Sequence, residues 1–61
     1  MSKITEKELS AISDLMNAEV TMKAKCTFMA ENATDPALAD CYLQMARQHQ
    51  KHLDELYANL K

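Results

Sequence analysis

Apolar residues recur along this chain at alternating steps of three and four, the period of an amphipathic helix. One series runs Ile12, Leu15, Glu19, Met22, Cys26, Met29 and Ala33, with Leu9, Met16 and Ala30 beside it, and a single member, Glu19, is charged. A second runs Leu38, Tyr42, Met45, His49, His52 and Leu56, flanked by Leu53 and Leu60, and its interruption is the two histidines. The punctuation agrees with this division. Thr5 followed by Glu8 fits a capping box, with Ile4 and Leu9 at the positions of a hydrophobic staple, so the first helix is predicted from about residue 6 to 32. The turn falls at about 33–35. There Asp35 suits an N-cap and Pro36 the first helical position, where a missing N–H costs little, and a second helix follows over about 36–59. So short a connection makes the two helices antiparallel neighbours.

The composition deepens this picture. The 61 residues contain no glycine, one proline and few aromatics, which suits long helices rather than strands and tight turns. A chain of this length is near the lower limit for burying a core alone, and there is only one hairpin in it. The expected fold is therefore all-α: a single helical-hairpin domain over 1–61 whose two apolar stripes are covered by a second copy, a homodimer with the form of a four-helix bundle. The sense in which the two hairpins meet is left open by the sequence.

A formal net charge of -2 offers no basic surface for a phosphate backbone, so nucleic acid is not an expected partner. No apolar run approaches the ~20 residues of a membrane span or the core of a signal peptide, and the chain is expected to be soluble and intracellular. Cys26 and Cys41 are too few and too far apart for a disulfide framework and are expected as small buried hydrophobes. Met16, Met22, Met29 and Met45 read as core filler, and Glu6, Lys7, Asp14, Lys25, Asp40, Arg47, Lys51 and Asp54 as solvated charge. Phe28 lies nearly opposite the apolar series.

Counting outward from the turn sets Glu19 level with a point between His49 and His52. The polar interruptions of both stripes thus fall at one height. His49 and His52, three residues apart, share a helical face, and a carboxylate with two imidazoles suits iron, zinc or manganese. A two-fold axis along the bundle brings two such sets together. Two readings without metal stand beside this one. Lys23, four residues after Glu19, is placed for an ion pair that neutralises the carboxylate, and the histidines can bond to Glu19 directly as a polar layer that fixes register. No catalytic residues are expected: there is no serine, histidine and acid motif, no glycine-rich phosphate loop and no facing carboxylates.

The stretch from Ala18 and Glu19 through Phe28-Met29-Ala30-Glu31, the Asp35-Pro36 turn and Met45-Ala46-Arg47-Gln48-His49-Gln50-Lys51-His52 resemble the hairpin of ferritin-like proteins of the rubrerythrin type. Thr5-Glu6-Lys7-Glu8-Leu9, Asp35-Pro36-Ala37-Leu38 and the second helix, rich in histidine and glutamine, are closer still to the short spore coat proteins of the coat-protein-F-like group. The resemblance implies a ferritin-like bundle rebuilt by a dimer, a structural rather than enzymatic role, and a place with other proteins in the coat of bacterial endospores. Metal-binding relatives offer a glutamate from the first helix and a glutamate-x-x-histidine pair from the second. Glu19 matches the first glutamate and His52 the histidine, but His49 stands where the second glutamate would be. Losing that bridging carboxylate argues against a full di-iron oxidase site.

Overall fold

The computed structural model describes residues 3–60. They form a hairpin of two helices, α1 (Glu6–Asn32) and α2 (Pro36–Ala58), and no strand occurs among them. Local chemistry sets each boundary. Thr5 has extended backbone, accepts from the Glu8 N–H through its hydroxyl at 3.1 Å, and donates its own N–H to Glu8 Oε1 at 2.9 Å, the reciprocal pair of a capping box. Asp35 caps α2 by accepting from the Ala37 N–H at 2.9 Å, and Pro36 opens the helix. Each helix ends on an asparagine side chain that donates to the carbonyl four residues back, Asn32 to Phe28 and Asn59 to Glu55, both at 2.8 Å. No described residue has a positive φ, so the turn is made without left-handed backbone.

The rod measures 46 × 15 × 10 Å. Its interior is thin: among the described residues only Cys26 and Ala46 are buried, at 4 % and 6 % exposure, and no large side chain is fully enclosed. The helices meet along Ile12, Met16, Glu19, Lys23, Cys26 and Ala30 of α1, and along Ala39, Tyr42, Ala46, His49, Leu53 and Leu56 of α2, all buried or half-buried. The periodic series therefore splits. Leu15, Met22 and Met29, and Leu38 and Met45, stand at the edge of the seam and remain exposed, so three of the four methionines read as core lie on the surface of the single hairpin. Cys41 is likewise exposed rather than buried, because it sits beside this uncovered row and not on the seam. Phe28, 61 % exposed, faces away from the helix contact as its spacing indicates.

The accessible surface is 4807 Å². A compact monomer of 6.9 kDa would show about 4,000 Å². The excess of about 800 Å² goes with the elongated shape of the rod.

The N-terminal cap yields a direct test. Glu8 has a carboxyl held below its ordinary range, first by the Thr5 backbone N–H and then by the Thr5 hydroxyl. A lowered folded-state value means stability that is present above the unfolded carboxyl range and is lost as pH falls through the folded one. Glu8→Ala is expected to lower the urea midpoint at neutral pH, and the gap from the parent should narrow toward pH 3. A gap that stays constant with pH would remove Glu8 from the cap.

Candidate functional site: the Glu19, His49 and His52 layer

Glu19 is the central residue of the 27-residue α1. It lies on the side of that helix that meets α2, opposite the face shared by His49 and His52. The 6.0 Å between the two imidazole centroids and their 84° interplanar angle set the rings edge to face. Glu19 Oε1 lies 2.5 Å from His49 Nδ1, and Glu19 Oε2 lies 3.3 Å from His52 Nδ1. One carboxylate thus bridges both imidazoles, one oxygen to each. With the carboxylate ionised, His49 Nδ1 carries the proton and donates in the short contact, while His52 Nδ1 stands at ion-pair distance. Nε2 of His49 is then left for another partner.

Exposure grades across the layer. The side chains of Glu19 and His49 are 22 % and 21 % exposed, and that of His52 is 45 % exposed. The hydrogen bond from His49 holds the Glu19 carboxyl below its ordinary range, against partial desolvation, with the weaker bond and the charges of the two rings acting in the same direction as His49. The sequence count from the turn is met: Glu19 does sit between His49 and His52. The Glu19 to Lys23 ion pair is not. Lys23 Nζ instead donates across the hairpin to Gln50 Oε1 at 2.6 Å, and Gln50 Nε2 donates to Asp54 Oδ1 at 2.8 Å. Lys23 thus bonds a neutral amide on the facing helix rather than the carboxylate on its own helix. Gln50 was not legible as a site residue from spacing alone; its only signal is a polar side chain one step from a seam histidine.

Two open depressions flank His52. One, of about 450 Å³, is lined by Cys41, Gln44, Met45, Gln48, His49 and His52. The other, of about 280 Å³, is lined by Leu15, Glu19, His52, Glu55, Leu56 and Asn59. The layer is therefore reachable from one broad face of the hairpin.

One ligand atom each from Glu19, His49 and His52 can be chosen so that all lie within 4.8 Å of one another. Ligand bonds of 2.0–2.2 Å in a tetrahedral site put donor atoms about 3.3–3.5 Å apart. The Glu19 to His52 spacing already has that value, whereas the Glu19 to His49 pair must open by roughly 0.8 Å to admit an ion. An ion held by Nδ1 would displace the proton that now joins His49 to Glu19. An ion held by Nε2 would leave Glu19 as the carboxylate that orients both rings.

Compared with protein-family models, curated proteins and solved structures, the chain matches none. No described helix is long and apolar enough to cross a membrane.

The layer gives a pH signature. Because the Glu19 carboxyl is lowered in the folded state, its contribution is present above the unfolded carboxyl range and is lost as pH falls through the folded value. Urea midpoints of the parent and Glu19→Gln should differ at pH 6 and converge by about pH 3, below the ordinary carboxylate range. Parallel curves across that span would show that the carboxylate adds nothing through its charge.

Proposed function

We propose that this hairpin is half of a homodimeric four-helix bundle with a structural or interaction role, similar to the small spore coat proteins that its sequence resembles. The observation that carries the reading is the uncovered apolar face. Leu15, Met22, Met29, Leu38 and Met45 are each 38–53 % exposed. At ~25 cal/mol per Å² of apolar area, covering such a face is worth several kcal/mol, which is the scale of stability a small domain needs. A second copy is the fitting cover because Glu19 sits at the midpoint of α1, so copies of the polar layer can meet each other and need not face an apolar surface. The ferritin-like relationship and the place in an endospore coat rest on the resemblance and form part of the proposal.

Sedimentation equilibrium at micromolar concentration is expected to give twice the 6.9 kDa chain mass. Met22→Glu, which places a carboxylate in the centre of the face without touching the helix seam, should shift the protein to monomer and weaken it. A parent that sediments as a cooperatively melting monomer would end this reading.

The convergence of Glu19, His49 and His52 favours a second reading, in which the layer holds a transition ion such as iron, zinc or manganese and the protein binds metal or takes part in redox chemistry. Here the protein purified without chelator should contain near-stoichiometric metal, and stripping it should lower Tm. His49→Leu should abolish uptake in a calorimetric titration with zinc or manganese. Metal below about a tenth of an ion per dimer, with no uptake on titration, leaves only the hydrogen-bonded layer.

A further inference from the structure

The donor set of the polar layer is small and lightly charged. Among the described residues it has three members, Glu19, His49 and His52, and no further histidine, cysteine or acid joins them within the same reach. Glu19 is its one carboxylate, so a divalent ion held there keeps surplus positive charge. Three donors also leave at least one position of a first-row ion unfilled, since even zinc takes four. Two imidazoles and one carboxylate with positions left open is the donor pattern of single iron(II) ions.

What can reach an open position is set by the walls around His52. Its side chain is the most exposed of the three and borders both depressions, so an ion bonded to it can be approached from either side. The two walls differ in charge. The smaller depression carries Glu55 beside Glu19, a further negative charge that repels an incoming anion. The larger, of about 450 Å³, has no acidic residue in its lining. It adds Gln44 and Gln48, four residues apart and exposed, whose amide N–H groups can donate to an anion. Polar residues of this kind suit the rim of a covered apolar face, where solvent and small ions still enter.

We propose that the layer holds one divalent ion of the iron(II) type per chain, bonded by Glu19, His49 and His52, and that a small anion enters from the Gln44 and Gln48 side to take an open position; this rests on the metal-binding reading above. The exchange is a ligand substitution. A water molecule leaves with its electron pair, the anion brings its own, and nothing is oxidised or reduced. The anion offsets the charge that a single carboxylate leaves over, and the two amides favour its approach through the wall that carries no acid.

Cobalt(II), whose visible absorption reports its ligands, is the probe ion, and azide is the probe anion. Calorimetric titration should give one cobalt per chain, and azide should then change the cobalt absorption to saturation. Gln48→Glu sets a carboxylate on the entry wall without removing a ligand. It should leave the cobalt stoichiometry as it was and weaken azide binding about tenfold. Glu55→Gln, on the other wall, should alter azide binding far less. Strengthening by Glu55→Gln with no effect of Gln48→Glu would reverse the side of entry and overturn the proposal. One cobalt per chain with an absorption that azide leaves untouched, or one cobalt for two chains, also overturns it while the metal-binding reading stands. No cobalt uptake at all overturns both.

Discussion

Two cylinders laid side by side touch along one strip, and that geometric fact governs this molecule. However apolar the facing residues are, a lone pair of helices cannot enclose a large side chain. Among the described residues only the small Cys26 and Ala46 are buried. Stability in a single hairpin must then come from the ends of the helices and from polar ties across the strip. The capping box at Thr5 and Glu8, the Asp35 cap and the asparagine ends supply the first. Glu19 with His49 and His52, and Lys23 with Gln50, supply the second.

Those two ties differ in kind. The Glu19 tie is close, charge-assisted and half-enclosed, and it lies beside the depression lined by Leu15, His52 and Leu56. The Lys23 tie continues to Asp54, which is exposed, through a neutral amide. Together they fix the relative height of the helices, because sliding one helix by a single 5.4 Å turn would break both sets of bonds. A polar layer is a poor source of net stability and a good source of register. The same layer presents a carboxylate and two imidazoles at one point, so the structural and metal-binding readings draw on one set of atoms.

Much of the fold was legible because its signals are local. Thr5 and Glu8 are three residues apart, Asp35 and Pro36 are adjacent, and the absence of glycine leaves no doubt about long helices. Setting Glu19 between His49 and His52 needed only a count from the turn. What escaped depends on competition between helices. Lys23 has a carboxylate within reach on its own helix, yet it bonds to Gln50, which no pattern along α1 can foretell. Cys41, Met22, Met29 and Met45 read as interior because the periodicity marks a broad apolar stripe, whereas two helices in contact cover only the strip along the seam.

The connection between the helices carries a consequence for how this sequence can drift. Since no residue there adopts left-handed backbone, its letters are constrained chiefly at Asp35 and Pro36. An insertion inside α2 is another matter. One residue added between Pro36 and His49 would turn the rest of α2 by about 100° about its own axis, swinging both imidazoles away from the carboxylate. Substitution in the linker should be cheap, and a change in residue count within the helix ruinous.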